Sequence, residues 1–286
     1  INIHIDKDAL LRSGIMFPKT IRHLKGEDLK DAIPDKLYIP LTDIRMLTKV
    51  DLLMLEMLAN CNWERPLYLA ISVGSVSKLK FDNYFVQEGL AFRFTPFDYK
   101  KWGDVGENRL YAVDVERLYD NVMNRYKYGG LDTPGLYLDE TTLRTCWYHR
   151  RLFAQLAKEL IAQGDNERAK KVLAYAEQVI PGYNVPETHE SGSYDIATAY
   201  ATLGEKTKAV TLAVHLIAEA EDYINWAFSL KGNRIEMVRN DCIYKFWQWN
   251  QYNELLKKID GEKYKESNRQ FEEKYALFAP TMSYKN

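Results

Sequence analysis

Asp6 and Asp8, separated by Lys7, are the first residues in the chain whose types and spacing suit chemistry. Two carboxylates this close can coordinate one hard divalent cation. No phosphate-binding loop follows the pair, and an acidic turn exposed to solvent has the same spacing. We therefore favour a solvated turn over a metal site.

His189 and Glu190 begin a second pattern, because one class of zinc-binding helix carries His-Glu-x-x-His. Residues 191–194 read Ser-Gly-Ser-Tyr, so the second histidine of that pattern is absent. The chain also has no Gly-x-Ser-x-Gly nucleophile motif and no Walker loop, and its three cysteines form no Cys-x-x-Cys pair. The sequence thus predicts no catalytic residue, no metal ligand and no cofactor.

Arg144, Arg150, Arg151 and Lys158 fall on one predicted helix. They could form an anion-binding face, but an ordinary helix face in water has the same composition, and we favour that second interpretation. The helix that carries them begins the clearest pattern in the chain.

Residues 144–217 contain two copies of a helix–turn–helix unit, with small or apolar residues at the expected helix crossings and a glycine at each turn. The first copy contains Ala157, Leu160, Gly164, Ala169, Leu173, Ala176 and Pro181, and the second contains Ala197, Tyr200, Gly204, Ala209, Ala213 and Leu216. The loop at 182–193 explains why the copies are farther apart than the usual period of about 34 residues. This spacing indicates a tetratricopeptide-type repeat, an architecture that forms binding surfaces.

The repeat alignment selects four candidate ligand contacts. In tetratricopeptide repeats the first helix of each pair lines the concave groove, and on this alignment Arg151, Lys158, Tyr194 and Thr198 lie on that side. We predict that these four residues contact a protein or peptide, or a glycan.

The charge balance excludes one class of partner. The chain has 39 basic and 40 acidic residues and a formal net charge of −1, whereas nucleic-acid binders usually have a basic excess. No apolar run approaches the roughly 18 residues of a membrane helix. Because the chain begins at Ile1 rather than methionine, we expect it to be part of a longer protein, which reaches a membrane through a preceding N-terminal region.

Residues 1–129 predict a small mixed α/β domain. Ile1, Ile3 and Ile5 alternate with polar residues, as in a strand. Thr48 and Asp51 form a capping-box pattern at the start of a helix. The apolar face predicted for that helix consists of Val50, Leu53, Met54, Met57 and Leu58.

Three further elements are predicted in the same domain. The apolar run at 67–73 fits a strand covered on both faces. Asp82 can begin a helix, which Gly89 ends. Phe92 and Phe94 alternate with Arg93, which indicates a strand with one face in water.

Residues 130–286 predict an all-α domain that resembles tetratricopeptide repeats, and Gly130, Pro134 and Gly135 mark the boundary. The predicted helices cover roughly 140–163, 165–180, 190–203, 205–229, 233–248, 250–259 and 262–277. The predicted fold class is therefore α+β, with a mixed domain followed by a helical-repeat domain.

Four segments occur in the order and spacing of a known family. They are Asn-Trp-Glu-Arg-Pro-Leu-Tyr at 62–68, the stretch at 84–93 that ends in Glu-Gly-Leu-Ala-Phe-Arg, the stretch at 119–130 that begins Tyr-Asp-Asn-Val and ends in Gly-Gly, and Gly-Leu-Tyr-Leu-Asp at 135–139. Together they resemble the soluble C-terminal region of bacterial multi-pass membrane proteins related to protein O-mannosyltransferases, a domain of unknown function. The resemblance covers about residues 37–181.

The resemblance implies where the chemistry of such proteins lies. Their acidic catalytic residues and lipid-linked sugar donor site are expected in the transmembrane part, so no catalytic residue can be assigned in this chain. The soluble region is expected on the extracytoplasmic, periplasmic side of the membrane. Within the first segment, Trp63 is either a packing anchor, which we favour, or part of a sugar- or peptide-contact pair with Arg65.

Three functions remain after these observations. We favour a non-catalytic extracytoplasmic accessory domain of a glycosyltransferase-like membrane protein, which contacts an acceptor protein, a partner or a glycan. The second is a stand-alone scaffold for protein interaction, built on the repeats. The third is a soluble carbohydrate-active enzyme that uses the carboxylates of Asp6 and Asp8, and it ranks last because no other part of an active site accompanies them.

Overall fold

The computed structural model describes residues 1–42, 44–73, 79, 81–106, 111–230 and 234–282. The chain forms two compact units, Ile1–Tyr126 and Lys127–Asn286; the division predicted from the sequence follows residue 129. The α+β class is confirmed, because the described strands lie in unit 1 and unit 2 is helical where it is described.

Unit 1 combines short strands with short helices. Its described elements are β1 (Asn2–His4), α1 (Lys7–Arg12), α2 (Gly26–Ala32), β2 (Lys36–Tyr38), α3 (Lys49–Asn60), β3 (Tyr68–Ala70), β4 (Phe85–Gln87), β5 (Ala91–Phe94), β6 (Ala112–Val113) and α4 (Val115–Asp120). Strands β1 and β2 form an antiparallel pair. The other strands form a sheet in the order β3-β5-β4-β6, in which β4 and β6 are parallel.

The first residues form the strand that their alternation predicts, since Ile3 and Ile5 are buried on one side of β1. Asp6 then caps α1, and its Oδ1 accepts a 2.9 Å hydrogen bond from the amide of Ala9. Asp8 pairs with Lys30 at 2.7 Å. Both carboxylates therefore have structural partners. The solvent exposure expected for the pair is present at Asp8, whose side chain is 59% exposed, but the two residues begin a helix rather than form a turn.

The capping box of α3 is confirmed, and the apolar face predicted for this helix is covered only in part: Leu58 is buried and Met54 is half-buried against the core. Asp51 is fully buried, and its Oδ2 accepts 2.7 Å hydrogen bonds from both the amide and the hydroxyl of Thr48. Leu55 and Leu58 are buried with it, because residues spaced by three or four positions share one helix face. Because the helix face that contains Asp51 is turned to the core, other apolar residues of α3 are turned to water. The exposed ones are Val50, Leu52, Leu53 and Met57.

The sheet differs from the prediction at its edge. Strand β3 lies at the end of the sheet, and Tyr68 is 48% exposed, so the expectation of a strand covered on both faces at 67–73 is wrong. The helix expected at Asp82 is a 3₁₀ turn at 82–84 that leads into β4. Gly89 lies in the turn between β4 and β5, where a Cβ atom would approach the Tyr126 hydroxyl to 2.0 Å.

Arg93 is buried on β5 rather than turned to water as predicted, because it donates to the carbonyl oxygens of Ser13 and Gly14 and lies beside one carboxylate. Its Nη1 lies 3.6 Å from Oε1 of Glu88, and Arg117 donates to the same oxygen at 2.7 Å. The hydroxyl of Tyr68 donates to the other oxygen of Glu88 at 2.8 Å. We call these four residues the Glu88 network.

Unit 2 is a series of antiparallel helices. Its described helices are α5 (Glu140–Ala162), α6 (Asn166–Val179), α7 (Ser193–Thr202), α8 (Lys206–Ser229), α9 (Arg234–Met237), α10 (Arg239–Ile259) and α11 (Gly261–Met282). Helix α5 packs against α6 and α7, α7 packs against α8, and α10 packs against α8 and α11. The two helix pairs predicted from the repeat pattern are therefore present.

The small residues of the repeat pattern lie at the helix contacts, as predicted. Ala157, Ala169, Ala197, Ala209 and Ala213 are all fully buried. The helix predicted at 233–248 is divided between the short α9 and the start of α10, and residue 233 lies outside the described residues. No break follows residue 248, so α10 also includes the helix predicted at 250–259, because the sequence at 248–251 contains no glycine or proline to interrupt it.

Candidate functional site

A cluster of aromatic rings on unit 2 is the strongest candidate for a binding site. It joins the loop before α7, the first turn of α7 and the middle of α10. We call it the aromatic cluster, and it consists of His189, Tyr194, Tyr244, Trp247 and Tyr252.

The rings of the aromatic cluster form two stacked pairs. The rings of Tyr244 and Trp247 stack with a centroid distance of 5.6 Å and an interplanar angle of 12°. His189 stacks on Tyr194 at 5.8 Å and meets Trp247 edge-on at 5.5 Å. Tyr252 lies buried beneath them, and its hydroxyl is 2.9 Å from Nδ1 of His189. Since Tyr244 and Trp247 remain 44% and 48% exposed, the outer stacked pair is accessible to a ligand.

Helical spacing on α10 decides which rings reach the surface. Tyr244 and Trp247 are three positions apart, so they lie on the same face of the helix. Phe246 and Trp249 lie on the face that packs against α11, and the indole N–H of Trp249 donates to Oγ of Ser267 at 2.8 Å. The same aromatic-rich segment thus supplies both a helix interface and an exposed surface.

Arg150 anchors the loop that carries His189, although the sequence placed this arginine on a solvated helix face. It is buried, and its guanidinium donates to the carbonyl oxygens of Ile180, Val185 and Pro186 and to Oγ of Ser191. Burial lowers the pKa of Arg150 to about 10, against the opposing charge of Glu187, so the side chain stays charged at neutral pH. The solvated interpretation is wrong for Arg150, because loop carbonyls replace water around it.

Two of the predicted ligand contacts, Arg151 and Tyr194, lie at the aromatic cluster. Nε of Arg151 donates to the carbonyl oxygen of Glu190 at 2.7 Å, and its guanidinium lies 5.2 Å from the ring centre of Tyr148. Gly192 begins the turn into α7 with a φ of 84° and packs directly against the Arg151 side chain. Arg151 on α5 thus contacts the backbone of the loop that leads into α7.

The other predicted contacts lie elsewhere. Thr198 is exposed one turn beyond Tyr194 on α7, and Lys158 is exposed two turns beyond Arg151 on α5. Trp63 and Arg65 belong to unit 1, where Trp63 is 6% exposed and its Nε1 donates to the carbonyl oxygen of His4 at 2.9 Å. The buried indole also stacks on Phe94, whereas Arg65 is exposed, so the geometry around Trp63 is that of a packing anchor.

Burial shifts the pKa values of several side chains in and beside the aromatic cluster. It lowers the pKa of His189, against the raising effect of nearby Glu190 and Asp195, and so favours a neutral imidazole. It raises the pKa of Tyr252 and of Tyr194. Burial also opposes ionisation of Glu190, but its own backbone amide, Lys245 and Gln248 hold its pKa below the usual value. At neutral pH the cluster is therefore uncharged, with an ionised carboxylate at its edge.

Unit 2 also contains a cavity of about 360 Å³ that is lined mainly by residues of α6, α7 and α8. Three of its polar groups are already paired with one another. Glu177 accepts hydrogen bonds from the hydroxyl of Tyr200 at 2.5 Å and from Lys208 at 2.8 Å, and the ammonium of Lys208 also lies 5.0 Å from the Tyr200 ring centre. This internal pairing leaves the aromatic cluster as the better candidate.

Comparison with known families gives one match. The model of a family described as TMEM260-associated domain 2 matches residues 1–116, and unit 1 is therefore similar to a domain associated with a transmembrane protein family. The family-like segments at 62–68 and 84–93 lie within the matched range, and those at 119–130 and 135–139 lie beyond it. Comparisons with curated proteins and with solved structures gave no match.

The helices of the described residues were also compared with the requirements of a membrane span. None of them is both long enough and apolar enough to cross a bilayer.

Proposed function

We propose that this chain is a non-catalytic, extracytoplasmic accessory domain of a membrane protein related to protein O-mannosyltransferases. Its helical unit binds a polypeptide, a partner protein or a glycan at the aromatic cluster. The observation that carries the binding role is the half-exposed stacked pair of Tyr244 and Trp247 beside His189.

Two large rings that remain half in water favour a ligand-binding role. Tyr and Trp contribute most of the binding energy at many interfaces, because they bury a large area with little loss of conformational freedom. In this cluster the stacking of each ring on its neighbour already restricts its orientation. The surface is therefore preorganised, which lowers the entropic cost of binding.

Two observations, which overlap in part of the chain, support the membrane-protein context. The similarity of residues 1–116 to TMEM260-associated domain 2 supports an association with a transmembrane protein family. The four family-like segments support the more specific relation to O-mannosyltransferases. In such an arrangement the chemistry belongs to the membrane-embedded part, and this chain holds a ligand near it.

Calorimetry of the full chain tests the binding role. The titrants are unstructured peptides of varied charge and neutral oligosaccharides. We expect one class to bind, and we expect Trp247→Ala to weaken its affinity about tenfold, a typical loss for an interface tryptophan. Trp226→Ala is the matched control, because Trp226 is equally exposed (48%) but lies outside the aromatic cluster. Absence of binding by both classes would contradict the proposal.

The reading frame that precedes Ile1 tests the membrane-protein context separately. We expect it to encode several apolar segments of about 20 residues. A frame without such segments would instead favour the stand-alone scaffold.

A further inference from the structure

Carboxylates surround the aromatic cluster. Glu190 and Asp195 directly follow His189 and Tyr194 in the chain, and Glu219 pairs with Lys245, the neighbour of Tyr244. Glu254 lies two helical turns beyond Trp247 on the same face of α10. These carboxylates also act on the pKa of His189 or Tyr194. The surface around the rings therefore has an acidic edge.

Two cations lie among these carboxylates, and both have partners. Lys245 is paired with Glu219 at 2.9 Å, and Arg151 is bonded to the carbonyl oxygen of Glu190. Arg150 beneath the loop is also charged, and it lies opposite Glu187. Five carboxylates against three cations, with a neutral His189, leave an excess of negative charge around the described cluster.

Two of the carboxylates are available to a ligand. Asp195 lies in the first turn of α7 and Glu254 lies on α10, and both are exposed. Neither has an ion pair or a hydrogen bond from another side chain within the described residues. They flank the aromatic cluster from two different helices, so a ligand that covers the rings passes close to both.

On the basis of the proposed binding function, we infer that the aromatic cluster recognises a basic polypeptide segment. Lysine or arginine side chains of the segment lie over the exposed faces of Trp247 and Tyr244, and the carboxylates of Asp195 and Glu254 face the same cations. Trp gives the strongest attraction of a cation to an aromatic face, and nearby carboxylates strengthen it.

A polypeptide suits this surface better than a glycan does. A neutral sugar can stack on the exposed rings but gains nothing from the surrounding negative charge, and an acidic sugar is repelled by it. A basic segment suits both the exposed rings and the negative charge around them. Each cation can lie over a ring and near a carboxylate, while the aliphatic part of its side chain covers apolar surface. The acidic edge also speeds association with a positively charged partner.

Fluorescence anisotropy with the full chain tests the inference. The probe is a labelled Gly-Ser-Lys repeat peptide, and the comparison peptide has glutamine at every lysine position. We expect the lysine peptide to bind at least about tenfold more tightly, since each cation that lies over an aromatic ring adds to the free energy of binding. We also expect its affinity to fall as the salt concentration rises from about 0.05 to 0.3 M, because the Debye length shortens.

Three variants locate the interaction. Trp247→Ala is expected to weaken binding of the lysine peptide about tenfold, and Trp226→Ala is expected to leave it unchanged. The double variant Asp195→Asn/Glu254→Gln changes only exposed side chains, so it should fold normally. We expect it to remove most of the preference for lysine over glutamine.

The outcomes separate this inference from the proposed function. Equal binding of the two peptides, or tighter binding of a mannose trisaccharide, would overturn the basic-segment inference and leave the binding function in place. Binding that is insensitive to Trp247→Ala in a correctly folded variant would remove the aromatic cluster from the site. If neither peptides nor sugars bind, the proposed function itself fails.

Discussion

Arg150 on α5 donates a 2.5 Å hydrogen bond to the carbonyl oxygen of Val185, a residue of the loop that leads to His189. Through this bond, two others to the carbonyl oxygens of Ile180 and Pro186, and a fourth to Oγ of Ser191, one buried guanidinium holds a loop that has no regular secondary structure. The position of His189 over Tyr252, and with it the shape of the aromatic cluster, depends on this anchor.

Replacement of Arg150 by methionine is expected to destabilise the protein strongly. The substitution leaves buried carbonyl oxygens without donors, and we expect the free energy of unfolding to fall by about 3 kcal/mol, as when one partner of a buried charged group is removed. Urea denaturation followed by circular dichroism measures this. Arg144→Met on the same helix is the control, because Arg144 is exposed and forms a surface ion pair with Glu140; a change above about 0.5 kcal/mol there would indicate a general effect of the substitution.

A pair of glycines tests the contact between α5 and the start of α7. Gly192 and Gly164 have nearly equal positive φ values, 84° and 80°, but a Cβ at Gly192 would lie 2.9 Å from Cγ of Arg151, whereas nothing lies within 4 Å of one at Gly164. Both alanine variants pay about 1 kcal/mol for the left-handed backbone. We expect Gly192→Ala to lose about 1 kcal/mol more because of the steric contact. Equal unfolding temperatures of the two variants would show that the contact relaxes without cost.

The Glu88 network provides a test in unit 1. Glu88→Gln keeps the shape of the side chain but leaves Arg93 buried without its counter-charge, so we expect a loss of about 3 kcal/mol in the free energy of unfolding. The matched control is Glu140→Gln, which alters an ion pair on the surface and should change stability by less than about 0.5 kcal/mol. Chemical denaturation of both variants under the same conditions measures the two losses of stability. Similar losses would mean that the buried network contributes no more to stability than a surface ion pair.

Acid should destabilise the protein in a window set by two histidines. Burial lowers the pKa of both His149 and His189 in the folded state. The folded state therefore binds fewer protons than the unfolded state when the pH drops below the usual histidine value of about 6.5, and stability declines there. We expect the unfolding temperature to fall between about pH 7 and 5, before the carboxylates titrate. His149→Gln should flatten part of this decline, and an unchanged profile in that variant would exclude His149 as a contributor.

A substitution at Trp63 tests whether this residue is a packing anchor or a ligand contact. Trp63→Phe removes the indole N–H that bonds to the carbonyl oxygen of His4 and retains an aromatic ring against Phe94. We expect a loss of about 1 kcal/mol in stability, the usual net value of one hydrogen bond. Peptide binding at the aromatic cluster should not change. A loss of binding without a loss of stability would favour the contact role for Trp63 and Arg65.

The helical unit was largely predictable because its signals are local. The alanines and glycines of the repeat pattern have the spacing of helix crossings and turns, and these depend on near neighbours in sequence. Arg150 was not predictable, because its acceptors lie at least 30 positions away on a loop. Residue type alone favours exposure of an arginine.

The aromatic cluster was predictable in part. The repeat alignment selected Tyr194, which belongs to the cluster, and Arg151, which bonds to the carbonyl oxygen of Glu190 beside it. The spacing of Tyr244 and Trp247 was visible in the sequence, but the sequence could not show which face of α10 meets α11. That choice depends on partners such as Ser267 and Phe278, which are distant in sequence.

The outward apolar side of α3 has a practical consequence. Leu53 and Met57 are 64% and 55% exposed on neighbouring turns, next to Val50 and Leu52. Contact between two molecules through such a surface releases water from apolar groups, and sulfate or phosphate salts strengthen this tendency. We therefore expect this face of α3 to contribute to self-association of the protein, and we expect low concentrations of such salts to reduce it.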